Sequence, residues 1–250
     1  MLRAAVVLLI GVVVLPVAFG PQQVSAALPG IYAGGVLAHT NAQRYLEGLH
    51  ILESDTTLSQ VAYTKMQDLF ARQYFAHEAP TGESVGDLAT DAGYAYISVG
   101  ENLALGDFSS NKDVVEAWMD SPGHRANILS ETYTDIGIAA GRGRYEGRTT
   151  WVVVQAFGLP RSSCPGVDAN LGARIDSLQS RLDLLERIVT IRRDATEERG
   201  ITRSEYNRRV ASYNTAAELY NNTVERYRSY AESYNAGVDE VNSCIINKVN

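Results

Sequence analysis

With 29 acidic against 22 basic residues and a net charge of −7, the 250-residue chain lacks the clustered Lys and Arg that phosphate backbones demand, which excludes a nucleic-acid partner. Its length allows one ordinary core plus an extension. From Val167 onward there are 12 basic and 13 acidic residues, so the acidity belongs to the first part of the chain.

The first residues read as an address. Arg3 precedes an apolar run from Ala4 to Val17, and Val24-Ser25-Ala26 has the small-residue pattern at which signal peptides are cut. A run of about 14 residues suits a signal-peptide core and is short for a bilayer span of about 20. Residues 1–26 are therefore expected to be a signal peptide. An uncleaved anchor is the alternative and the one route to a membrane. Either way the rest is exported, secreted or held at the cell surface.

From 34 to 158 helical and strand patterns mix. The first helix is expected from Gly35 to Leu46, ending at Gly48, and the second from Asp55 or Thr57 to about Gln73. Leu58, Val61, Ala62, Met66, Leu69 and Phe70 recur at helical spacing, which buries one face of the second. Ser84 with Asp87, and Ser110 with Asp113, are helix-start signals, and Pro122 marks the end of the second of these helices. Strands are expected at Ile136–Ala140 and Thr149–Phe157, with Gly141 to Gly147 as the hairpin turn between them. That glycine-rich stretch lacks the Lys-Ser/Thr ending of a phosphate loop. Trp151-Val152-Val153-Val154 does not alternate with polar residues, so helices should cover both faces of the sheet. The expected class is α+β, a three-layer α-β-α sandwich.

Residues 159–166 have linker composition. In 167–249, Leu171, Ile175, Leu178, Leu182, Leu185 and Val189 alternate steps of four and three. After a break at Glu197–Gly200 and a capping box at Thr202–Glu205, the alternation resumes. Tyr206, Val210, Tyr213, Ala217, Tyr220, Val224 and Tyr227 carry it on, and it continues to Ile245. Two heptad segments joined by a short turn imply an antiparallel coiled-coil hairpin. The tyrosines read as seam, rings buried and hydroxyls at its wet edge. The second segment is longer than the first, which makes association through the hairpin an expectation. Folding back brings Cys164 and Cys244, the two cysteines of the chain, toward one end. They form one bridge, or remain two free thiols, which an exporting compartment would leave reactive.

Gly100-Glu101-Asn102-Leu103, Ser121-Pro122-Gly123-His124-Arg125 and Phe75-Ala76-His77 occupy turn-like positions, where binding groups tend to sit. They bring together His77, His124 and Glu101, side chains that ligate metals or move protons near neutral pH. His39 and His50 have no such context and read as surface or boundary residues. Asn221-Asn222-Thr223 is a glycosylation triplet inside an expected helix and reads as chance. No Gly-x-Ser-x-Gly elbow or His-Glu-x-x-His helix is present, so the common serine and metalloprotease signatures give an enzyme no support.

The order and spacing of Asn41-Ala42-Gln43-Arg44, Tyr74–His77, Gly100–Leu103, Ala117–Leu129, Ile136-Gly137-Ile138 and Val154–Gly158 resemble the CAP superfamily (cysteine-rich secretory, antigen 5 and pathogenesis-related proteins; SCP domain). The absence of cysteines within 34–158 resembles its bacterial branch. The resemblance implies an α-β-α sandwich and a cleft of two histidines and two glutamates that in some members holds zinc or another divalent cation. His77, Glu101 and His124 match three of the four. The fourth position falls on Asp120 or Ser121, a departure from the pattern. Three ligands plus water still suffice for zinc, and such a water could be activated for hydrolysis. The resemblance further implies roles outside the cell, with an extracellular or cell-surface ligand and, in some members, a lipid. Two readings stand beside it. In one the pair of histidines and Glu101 form a structural hydrogen-bond network; in the other the same cleft is a metal-assisted hydrolase.

Overall fold

A computed structural model describes residues 30–249; the signal-peptide expectation lies outside them. Helix α1 (Ala33–Leu46) is followed by Gly48, whose φ of 76° lets the chain turn back so that Leu49 N–H reaches the Arg44 carbonyl. A two-residue strand β1 (Glu53–Ser54) leads into α2 (Thr56–Arg72), started by Asp55 accepting from Leu58 N–H at 2.8 Å. Helix α3 (Val85–Asp91) opens with the Ser84/Asp87 capping box. Strand β2 (Tyr96–Gly106) follows, then α4 (Asn111–Met119), capped by Ser110, and α5 (Pro122–Ile128). Strands β3 (Asp135–Tyr145) and β4 (Arg148–Pro160) form a hairpin.

Three local expectations change. Pro122 ends α4 and at the same time begins α5, because a proline at the first helical position gives up an N–H that would be orphaned anyway. The stretch Gly141–Tyr145 is strand, and the turn is Glu146-Gly147, both left-handed at φ 46° and 79°. This two-residue turn matches the twist of its strands. Leu159 and Pro160 also belong to β4, with Leu159 fully buried.

The sheet order is β1-β3-β4-β2, antiparallel except for β1 beside β3. Successive side chains of β4 point to opposite layers. Val152, Val154 and Ala156 pack with Leu58, Val61, Ala62, Met66 and Leu69 of α2 and Ala89 of α3. Val153 and Phe157 pack with Val36 of α1, Val114, Val115 and Trp118 of α4, and Ile128 of α5. The uninterrupted apolar run in β4 is thus covered on both faces, and the three layers are α2/α3, sheet and α1/α4/α5. Gly137 is required by this packing. A Cβ there would lie 1.9 Å from the Leu58 carbonyl carbon in the first turn of α2.

A 3-10 turn at Arg161–Ser163 leads to α6 (Ala169–Thr196) and α7 (Arg203–Val249). Cross-contacts run in opposite directions along the two helices: Arg174 with Tyr230, Arg192 with the Ser212 carbonyl, and Arg209 with the Ala195 carbonyl. Cys164 and Cys244 are bonded at their base. Leu178 and Leu185 are buried as the α6 spacing predicts. On α7 the most buried positions are Ala216, Thr223 and Val241. Ala216 and Thr223 each precede an expected seam residue by one, and the tyrosines flank them half-buried, with Tyr206 at 48% exposure. Small side chains at the centre let the helices approach closely, and the bulky rings are displaced to the edge.

Candidate functional site

His77 lies in the loop between α2 and α3, and Glu101 on β2 rather than in a turn. His77 Nδ1 and Glu101 Oε1 are 2.7 Å apart. The imidazole is 64% exposed and the carboxylate side chain 2%, so a buried acid aims a solvent-facing ring. Burial pushes the Glu101 carboxyl above its usual range, while the bond to His77 and the charge of Lys65 pull it back down. Its second oxygen, Oε2, is buried without a hydrogen-bond partner.

Behind the pair stands a network that no motif announced. Lys65 of α2 is 1% exposed. Its Nζ donates to the His77 carbonyl at 2.7 Å and to the Tyr74 hydroxyl at 3.2 Å, and Tyr74 donates to Asp68 Oδ2 at 2.6 Å. Burial lowers the Lys65 pKa, opposed by the negative charges of Glu101, Asp68 and Glu83. A buried ammonium is tolerated only where hydrogen bonds and countercharge replace water. Here it ties the His77 loop to α2. The signal was present, since Lys65 sits within the apolar arc of α2, four residues after Val61 and four before Leu69.

His124 approaches from the other layer. It lies in α5, half-buried, rather than in a turn. Asn102, next to Glu101 and therefore on the opposite face of β2, donates to the His124 carbonyl at 3.1 Å and to Gln155 Oε1 at 3.1 Å. Gln155 donates to Thr40 Oγ1 at 2.8 Å, and Asn127 donates to the Glu101 carbonyl and to Asn102 Oδ1. This chain of amides, fully buried at Asn102 and Gln155 and half-buried at Asn127, fastens α1, α5 and β2 together. Asn102 and Asn127 were inside the quoted phrases, and Gln155 was the one amide in an apolar strand run. Burial lowers the His124 pKa, and the charge of His77 lowers it further, so the two rings sense each other.

The three residues thus flank the edge strand β2, with Glu101 and His77 on the α2 layer and His124 on the α5 layer. Among the described residues no three His, Cys, Asp or Glu side chains gather into an ion-holding group. Asp120, exposed at the end of α4, makes no hydrogen bond to the histidines or Glu101 among the described residues. In this arrangement Nδ1 of His77 is engaged by Glu101, so the two side chains cannot both ligate one ion while that bond persists.

The class these features define is an α-β-α sandwich with a histidine–carboxylate pair at the sheet edge. Residues 37–157 match the model of the cysteine-rich secretory protein family, CAP. Residues 37–157 therefore form a CAP-family domain of the bacterial type. It is 40% identical over 131 residues to the uncharacterized protein YkwD of Bacillus subtilis (strain 168), covering 52% of this chain and 47% of that one. Identity to the uncharacterized membrane protein YlbC of the same organism is 31% over 110 residues, 44% of this chain and 32% of that one. The chain thus spans less than half the length of either relative. A crystal structure of an extracellular SCP-domain protein from Bacillus anthracis str. Ames aligns with TM-score 0.43 at 28% identity, over 51% of this chain and 40% of that one.

Proposed function

We propose that this chain acts outside the cytoplasm as a binding module, its CAP cleft recognising an extracellular or cell-surface ligand through His77. The observation that carries the reading is the pairing of a buried carboxylate with an exposed imidazole. Holding Glu101 away from water costs free energy that packing alone would not require. The return is a ring fixed in orientation, with Nε2 left for a ligand. Export is supported by the apolar leader and by the Cys164–Cys244 bond, since disulfides persist in oxidising compartments.

The unpartnered Glu101 Oε2 favours a second reading, a divalent-cation site that could support hydrolysis. His77 and Glu101 would have to give up their mutual bond to reach it together.

Labelled protein added to intact bacterial cells should bind saturably. His77→Ala and Glu101→Gln should weaken that binding at least about tenfold, a loss of about 1.4 kcal/mol, with folding unchanged. Equal binding by both variants would remove the cleft from the function. Calorimetric zinc titration separates the readings: no heat in the wild-type protein ends the metal one. Recovery of the protein in the cytoplasm with both thiols free would end the proposed location.

A further inference from the structure

A concavity opens where α1 ends, and its lining shares no residue with the His77–Glu101 pair. It is a cavity of about 650 Å³ between the 47–53 and 131–134 segments. Arg44, 1% exposed, builds it. Arg44 Nε donates to the His50 carbonyl at 2.7 Å, and Nη1 donates to the Ile128 and Ser130 carbonyls at 2.8 and 2.7 Å. Nη2 reaches the Tyr133 carbonyl at 3.5 Å. One buried cation therefore staples both walls, so the hollow is preformed, and its donors are spent on backbone rather than on the acids around it.

Leu49, Ile51 and Tyr133 supply apolar lining, with Ile51 60% exposed. Tyr45 and Leu46, 76% and 75% exposed, lie just before this lining in the chain. Glu47, Glu53 and Glu131 supply the charge. Glu53 and Glu131 have no ion-pair partner among the described residues, and Glu47 has an exposed pair with Arg125 at 2.9 Å, which a ligand can displace. The three carboxylates do not converge on a point that could hold an ion. They are spread around a space of ligand size, with aliphatic surface between them. Spread negative charge separated by apolar surface is complementary to positive charge spaced along an extended chain.

We propose that this cavity docks an extended polypeptide segment in which Lys or Arg alternates with aliphatic side chains. The cations meet Glu47, Glu53 and Glu131, and the aliphatic side chains cover Leu49 and Ile51. The acidic balance of the first part of the chain draws such a segment in and makes the encounter salt-sensitive.

The test uses the whole secreted chain and a fluorescein-labelled hexapeptide of alternating lysine and leucine, read by anisotropy, with a glutamate–leucine hexapeptide as control. The basic probe should bind and shift the amide resonances of Leu49–Glu53 and Glu131–Thr134. The Glu53→Gln/Glu131→Gln double variant, whose substitutions are on the surface, should bind it about tenfold more weakly. Ile51→Ala should weaken it about threefold. His77→Ala should leave probe affinity unchanged, so this site and the cleft stand or fall separately. Failure of the basic probe to bind overturns the proposal. So do equal affinity in the double variant, resonance shifts confined to other surfaces, or loss of binding in His77→Ala. Spermine competing as tightly as the peptide also overturns it, by assigning the cavity to a small polyamine.

Discussion

The sandwich and the helical pair solve the same problem with different means. Between Ile31 and Leu159 two apolar clusters sit on the two faces of one sheet, and large side chains such as Trp118, Phe157 and Leu58 are almost wholly withdrawn from water. No cysteine is needed there. Along α6 and α7 only Leu178, Leu185, Ala216, Thr223 and Val241 are buried, and one disulfide closes the base. Two long helices in contact along a single stripe cannot exclude water as a layered sheet does, so a covalent link takes over part of the restraint. The comparison teaches where each half is vulnerable.

The largest effect is expected in the sandwich. Trp118 packs in the α1/α4/α5 layer and donates its indole N–H to the Leu103 carbonyl at 3.0 Å. Trp118→Ala should lower sandwich stability by about 3–5 kcal/mol. Trp151 fluorescence would follow the sandwich in denaturant, and the helical signal would chiefly follow α6 and α7. Simultaneous loss of both signals would show that the halves are one cooperative unit.

The converse break is Cys164→Ser with Cys244→Ser. Removing the link over its 80-residue separation should cost the helical pair about 2–4 kcal/mol and leave the sandwich transition in place. Proteolysis confined to 165–249 would be the signature. A drop in the sandwich transition of similar size would contradict the division of labour.

The smallest and sharpest effect is pH dependence at the cleft. His124 has a folded pKa below its unfolded value of 6.5, so the unfolded chain binds more protons just below that pH. Its contribution is intact above pH 6.5 and is lost as the pH falls through the folded pKa. Glu101 has the opposite sign. Its folded pKa lies above 4.5, so its contribution is present at low pH and is lost as pH rises from 4.5 through the folded pKa. His124→Gln should flatten the acid-side loss, and Glu101→Gln should remove the loss on the rising side. Thermal melts of the three proteins from pH 4 to pH 8 would read both, and parallel curves would show that neither group titrates as its burial requires.

Much of the fold was legible because local signals and burial agreed. The arc of Leu58, Val61, Ala62, Met66 and Leu69 is the face of α2 that the sheet covers, and Ser84 and Ser110 cap the helices they announced. Strand β2 was not legible. In Val99-Gly100-Glu101-Asn102-Leu103 the polar pair interrupts the alternation, because one side chain serves the cleft and the next serves the amide network. Helix α5 was hidden by Pro122 and Gly123, which read as a turn until the preceding helix is seen to end at Met119.

By itself the sequence determined the CAP-family region, the layered sandwich and the two-helix extension. Periodicity and motif order are properties of neighbours along the chain, and they survive without coordinates. Only tertiary structure decided that Glu101 faces His77 while His124 comes from the other layer, and that Lys65 and Arg44 are buried cations organising separate hollows. Those facts depend on which side of an edge strand each residue takes and on which distant carbonyls a buried cation must find once water is gone.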